Sequence, residues 1–185
     1  MKMTAGGFAI IRLKFGSLSQ DAVDNINLIV ETCEKYKLSY PQSAYVLATV
    51  ALETARTFKP IEEYGKGKGR KYGTLYTNSK GQKYGIAGSG GSTYLYSDYP
   101  HLYYGMGFVQ LTWFDNYKFA GEQLGIDLLH NPNLALDAKY AAEILVKGFV
   151  QGWFTSKKIS DYINDNKKDY VGARRCINGT DKAKE

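Results

Sequence analysis

Cysteine and histidine are scarce in this chain, with two of each among 185 residues. Cys33 and Cys176 stand far apart and show no metal-ligand spacing, and nothing in their placement indicates a disulfide framework. His101 and His130 likewise have no spacing suited to a metal and read as loop residues, so no metal site is expected. Long apolar runs are also missing. The stretch "GGFAIIRLKFG", residues 6–16, is too short and too interrupted by Arg12 and Lys14 for a membrane span or a secretion signal, which places synthesis in a cytoplasm and predicts no stable membrane insertion. There is no long basic arm of the kind that wraps nucleic acid, only short clusters such as "KGKGRK" (residues 66–71) and "NKKD" (residues 166–169), which read as solvated loops. The "GSGGS" of residues 88–92 lacks the strand, lysine and helix of a phosphate-binding loop, so no nucleotide cofactor is implied.

What is present is an ordinary globular composition, 44% hydrophobic and 23% charged, in a 20.7 kDa chain long enough for one well-cored domain and too short for two full-sized ones. A single domain over residues 1–185 is expected. The net charge of +6 and pI near 9.1 predict attraction to a polyanion, whether nucleic acid, an anionic membrane surface or an acidic cell-wall polymer, and charge alone does not choose. The unusual features are sixteen tyrosines and twenty glycines.

Periodicity predicts a mainly helical chain. In residues 17–36, Ala22, Ile26, Ile29 and Cys33 fall at helical spacing after serines suited to an N-cap. A second helix follows Pro41, with Ala44, Leu47, Ala48, Ala51 and Ala55 as its apolar face running toward Phe58, limited by Pro60. Residues 64–105 mix glycine, tyrosine and short polar runs as a long loop or small hairpin system does, and a segment that long predicts a binding surface. Helical pattern resumes over residues 114–125, with Gly125 as the stop, and over residues 131–154, the most hydrophobic helix and the expected core. "KKISDYIN", capped by Ser160, and "KKDYVGARRCING", ended by Asn178-Gly179, read as two further short helices.

The candidate chemistry begins with Glu53, one turn after Val50 and two after Val46, so its carboxylate emerges among apolar neighbours. Desolvation there would raise its pKa, as a general acid requires; a glutamate at the margin of a helix face fits the same spacing. Glu62 and Glu63 lie just past the helix end, where a chain turning at Pro60 could bring a second carboxylate near the first. Glycoside hydrolysis needs such a pair, and tyrosines offer sugars flat apolar faces with polar rims.

The ordered combination of "ALETARTFKPIEEYG", "YYGMGFVQLTWFDNY" and "ARRCINGTDKA" resembles the glycoside hydrolase family 19 catalytic domain, in its bacteriophage endolysin branch, over residues 40 to 185. The resemblance implies a lysozyme-like fold, mainly α with some β: a helical domain with a small β-hairpin or loop lobe flanking a cleft. It implies Glu53 as general acid, Glu62 (or its neighbour Glu63) as the second carboxylate, and Thr112 as the hydroxyl that helps hold the attacking water. Gln110, Tyr104, Trp113, Tyr117 and Asn178 would line or brace the sugar cleft, and Arg174, with Arg175, would brace the carboxylates. For Trp113 and Tyr117 a place in the core fits as well as ligand contact.

The implied activity is inverting hydrolysis of β-1,4 bonds in peptidoglycan by a monomer that needs no metal or cofactor. Such an enzyme waits in the host bacterial cytoplasm until a membrane pore releases it to the wall. A chitinase, or a saccharide-binding module without catalysis, are the alternatives. One position departs from the pattern: where the family reads G-R-G this chain has Gly105-Met106-Gly107, and a cation is lost at the edge of the site.

Overall fold

The structure, a computed structural model, describes residues 2–177. In chain order these form helices α1 (Ala5–Phe15), α2 (Gln20–Lys35) and α3 (Tyr40–Glu53) and strands β1 (Ile61–Glu62), β2 (Leu75–Thr77), β3 (Lys83–Ile86), β4 (Thr93–Leu95) and β5 (Met106–Gly107). Helices α4 (Phe114–Leu124) and α5 (Ala138–Gln151) follow, then strands β6 (Ile163–Asn164) and β7 (Lys167–Lys168). The helix-rich class with a small β component is the one the sequence predicts. The chain divides into two compact units, Met1–Lys59 with Ala142–Glu185, and Pro60–Ala141.

In the first unit the helix caps are local and the sequence shows them plainly. Ser19 accepts from the Ala22 N–H to start α2, and Ser39 with Gln42 forms a reciprocal capping box at α3, whose first turn holds Pro41. Ala22, Ile26, Ile29 and Cys33 are buried as the spacing of α2 requires. On α3 the buried face differs from the alanine-based one: Val46, Leu47, Val50 and Ala51 go inside while Ala44, Ala48 and Ala55 are exposed. The valines remove more apolar area from water than the alanines do, and they set the rotation of the helix. The apolar run near the N-terminus, for which no element is predicted, is α1, capped by Thr4 through the Gly7 N–H.

Helix α3 also stops earlier than Pro60 would require. Thr54 is fully buried, its hydroxyl donating to the Val50 carbonyl and accepting from the Phe58 N–H. Ala55, Arg56 and Phe58 take positive φ of 49°, 67° and 53°, a costly conformation for residues with a Cβ. The compensation is tertiary. Phe58 is 1% exposed with its ring edge-on to Phe15 at 6.0 Å, and Asn25 Nδ2 donates to its carbonyl.

Farther along, α5 is shorter than predicted: Pro132–Leu136 is a separate 3-10 turn, and the buried positions are Ala141, Ala142, Ile144, Leu145, Val146 and Phe149. The two predicted short helices are 3-10 turns, Ile159–Asp161 and Gly172–Cys176, separated by the β6–β7 hairpin. Ser160 lies inside the first turn and is not its cap; Asp161 accepts from the Lys158 N–H instead. Asn164 accepts from the Asn166 N–H, the asparagine turn that makes this segment a hairpin. Asn178-Gly179, the predicted stop, lies outside the described residues.

In the second unit β2, β3 and β4 form an antiparallel meander, and β1 pairs with β5. The tyrosine-rich segment is therefore a small sheet, and several of its rings are core. Tyr94 stacks on Phe114 at 4.7 Å, Tyr103 meets both edge-on, and Tyr94, Tyr103 and Tyr117 are 6%, 1% and 0% exposed. Gly85 allows this, because a Cβ there would lie 2.4 Å from the Tyr94 ring.

Candidate active site

In the first unit, Glu53 ends α3 and is met from 121 positions away by Arg174, whose Nη1 donates to Glu53 Oε1 at 2.7 Å. The side chains are 20% and 7% exposed, so this ion pair is largely shielded from water. The carboxylate is thus not left among apolar neighbours alone, as the spacing of α3 predicts, but is oriented by a guanidinium. Arg174 is carried by the turn Gly172–Cys176, fastened where Asp169 accepts from the Gly172 N–H at 2.7 Å. That hydrogen bond is the chief reason the Asp169 carboxyl ionises below its ordinary range. A Cβ at Gly172 would lie 2.2 Å from Asp169 Oδ2, so a larger residue there would displace the carboxylate that fastens the turn. Arg174 Nε is buried with no hydrogen-bond partner among the described residues, so the guanidinium is held through its Nη1 contact and its packing. Arg175 is exposed, and its carbonyl accepts from the Thr155 hydroxyl.

In the second unit, the adjacent glutamates have different surroundings. Glu62 Oε1 accepts from the Tyr104 phenol at 2.8 Å, and Oε2 lies 3.4 Å from Lys66 Nζ, the side chain remaining 34% exposed. Glu63 is enclosed in the scaffold: Oε1 accepts from the Tyr72 phenol, Oε2 from the Gly105 N–H, and its own N–H donates to the Gly105 carbonyl. A hydrogen-bonded line supports Glu62, because buried Tyr117 donates to the Tyr104 carbonyl at 2.8 Å and Tyr104 in turn donates to the carboxylate. Burial, followed by the neighbouring Glu62, pushes the Tyr104 phenol up to about 12, so at neutral pH it remains a donor. Burial and then Glu63 do the same for Tyr72, also to about 12.

Met106 faces Glu62 directly across the β1–β5 pair and is 2% exposed. A cation does stand beside this carboxylate, in Lys66, whose Nζ lies 3.4 Å from Glu62 Oε2. It reaches Glu62 from the turn that follows β1.

Thr112 is half-buried between two strained residues, Gln110 with φ 55° and Trp113 with φ 73°. Gln110 Nε2 donates to the carbonyls of Ile61 and Gly107, so it braces the turn after β5. Trp113 is half-buried, its ring edge-on to Tyr72 at 5.2 Å. Tyr117, with no exposed surface, is a core residue that positions Tyr104 and cannot touch a sugar. Asn178 lies outside the described residues. The residues absent from the predicted site are Tyr72 and Lys66. Among the described residues no group of three or more His, Cys, Asp or Glu side chains could hold a metal.

Residues 62–165 match the family model of the class I chitinases, glycoside hydrolase family 19. This chain belongs to that family. The matched range includes Glu62, Glu63, Gln110, Thr112 and Trp113 and leaves Glu53 and Arg174 outside it. Over 55 residues the chain is 40% identical to basic endochitinase B of Arabidopsis thaliana, a stretch that spans 30% of this chain and 16% of that protein. Chitinase C from Streptomyces griseus HUT6037 aligns with 76% of this chain and 64% of its own at 25% identity and a TM-score of 0.47. A bacterial family 19 chitinase aligns with 95% of this chain and 92% of its own at 21% identity and a TM-score of 0.43.

Proposed function

We propose that the protein is a peptidoglycan hydrolase of the endolysin type that cleaves β-1,4 glycosidic bonds with inversion. The observation that carries this reading is the state of Glu62: partly exposed, oriented by the Tyr104 phenol, in a chain of a glycoside hydrolase family. Glu53 acts as general acid. Arg174 occupies Oε1, which leaves Oε2 to deliver a proton to the departing glycosidic oxygen. Glu62 takes a proton from a water that attacks the anomeric carbon from the opposite face, and Thr112 positions that water. The two proton transfers balance: one reaches the leaving alcohol, and the other is left on Glu62 as the hemiacetal forms.

A basic monomer with these properties suits a bacteriophage enzyme made in the host cytoplasm and released to an anionic wall through a membrane pore. Chitin is the second reading, favoured by the chitinase names of the relatives, and the same carboxylates would serve it. Release of reducing ends from purified murein and from chitin, with Glu53→Gln as the blank, separates the two. Cleavage of murein with an α-anomeric product at early times is the expected result; activity on chitin alone gives the second reading, and activity on neither removes both.

A further inference from the structure

The loop that follows Glu63 carries four exposed cations in six residues, Lys66, Lys68, Arg70 and Lys71. Such a run is ordinarily a solvated, mobile surface, but this one is built. Gly65, Gly67 and Gly69 have φ of 81°, 76° and 77°, and consecutive turns close it through Lys66 N to the Glu63 carbonyl, Lys68 N to Gly65 and Arg70 N to Gly67. Gly67 is buried directly against Gly73; a Cβ on Gly73 would lie 2.1 Å from the Gly67 carbonyl oxygen. The loop is rooted at both ends in Glu63, whose carbonyl accepts from the Lys66 N–H and whose carboxylate accepts from the Tyr72 phenol. Lys66 is paired with Glu62, whereas Lys68, Arg70 and Lys71 make no ion pair among the described residues.

We propose that Lys68, Arg70 and Lys71 form a subsite for carboxylates carried by the glycan being cut, making the enzyme selective for an acidic, peptide-bearing polysaccharide over a neutral one. The inference rests on the peptidoglycan reading and names what in this chain would produce it. Three cations carried by hydrogen-bonded turns on the segment that leads directly from Glu62 and Glu63 favour an anion borne by the same polymer whose bond reaches Glu62, more than one on a separate wall polymer or on nucleic acid. Because the cations are exposed, each contributes modestly and their sum is screened by salt.

The test is sedimentation binding of full-length protein carrying Glu53→Gln to Gram-negative sacculi, whose anions are carboxylates, at 20 to 300 mM salt as a suggested range of about one decade. The added variants are Lys68→Gln/Arg70→Gln/Lys71→Gln and a charge-matched control, Lys14→Gln/Lys37→Gln/Lys157→Gln. Sacculi with amidated carboxylates, walls bearing phosphate polymers, chitin and duplex DNA complete the set. The loop variant is expected to lose about tenfold in affinity for sacculi at low salt, and amidation to remove the difference between loop variant and parent.

Equal losses in the control variant, undiminished binding to amidated sacculi, or a loop effect seen only with phosphate-bearing walls or DNA would overturn the proposal. Because binding uses inactive protein, a wild type that fails to hydrolyse murein would remove the functional reading without deciding this test. In active protein the loop variant should lower the ratio of murein to chitin turnover.

Discussion

Arg174 Nη1 donates to Glu53 Oε1 at 2.7 Å, joining the end of α3 to a 3-10 turn 121 residues later. A guanidinium this buried depends on its carboxylate for charge compensation as much as the carboxylate depends on it for orientation. Glu53→Gln keeps an oxygen that can accept from Nη1 but removes the charge and the transferable proton. Turnover should therefore fall by about 10²- to 10⁴-fold. Stability should fall too, by about 1–3 kcal/mol, because Arg174 stays charged and buried opposite a neutral amide. Initial rates and thermal melts check both; a variant that keeps wild-type turnover removes Glu53 from the acid role.

Glu62 and Glu63 should separate by the kind of defect. With Glu62 partly exposed and Glu63 accepting from both Tyr72 and Gly105, Glu62→Gln is expected to abolish most turnover with little change in stability. Glu63→Gln should cost about 1–3 kcal/mol, since an amide NH₂ would face either the Tyr72 phenol or the Gly105 N–H, donor against donor. Denaturant unfolding and reducing-end assays on both variants decide this, and the reverse pattern would make Glu63 the base.

Much of this was legible locally. The serines before α2, Pro41 in the first turn of α3 and Gly125 after α4 mark helix boundaries through residues close in sequence, so spacing alone finds them, whereas the Ser39–Gln42 capping box at α3 was passed over. The early end of α3 was not: the bonds of the Thr54 hydroxyl are local, but Phe58 is held by Asn25 and Phe15, partners distant in sequence. Composition misled at Tyr94 and Tyr103: a phenol can wet a binding surface or close a core, and these rings close a core, as does Tyr117, for which the sequence left both places open. The partnership of Arg174 with Glu53 has no periodic signature, and only resemblance to a family pointed at it. Lys66 read as part of a solvated cluster, because four-residue spacing signals a contact on a helix and this segment is a turn.

Met106 stands where the family pattern has arginine, and its position across from Glu62 places it within side-chain reach of that carboxylate. Met106→Arg should raise the rate of glycan hydrolysis relative to wild type, with Met106→Leu unchanged, while lowering stability because a guanidinium enters the place of a 2% exposed thioether. Lys66 already offers Glu62 a cation, so the gain should be larger when combined with Lys66→Gln. No gain in either background, or an equal gain from leucine, would identify Met106 as a packing substitution only.

The phenols predict the behaviour of the fold in alkali. Burial is the first cause that raises Tyr45, Tyr72, Tyr94 and Tyr104 from the ordinary 10.0 to about 12, and it raises Tyr103 and Tyr117 further still. A group with its proton held more tightly in the folded state contributes stability that is present in full below its unfolded value and is lost as pH rises through its folded one. The loss should therefore begin near pH 10.0 and steepen toward pH 12, all six phenols acting in the same direction. Absorbance at the phenolate band should show these six tyrosines ionising only with the loss of helical circular dichroism. Replacing Tyr104 by phenylalanine should shallow the alkaline decline and reduce turnover at neutral pH, because the same hydroxyl that resists ionisation holds Glu62. Free titration of every tyrosine near pH 10 with the helices intact would contradict the buried aromatic cluster, and unchanged turnover in Tyr104→Phe would release Glu62 from its support.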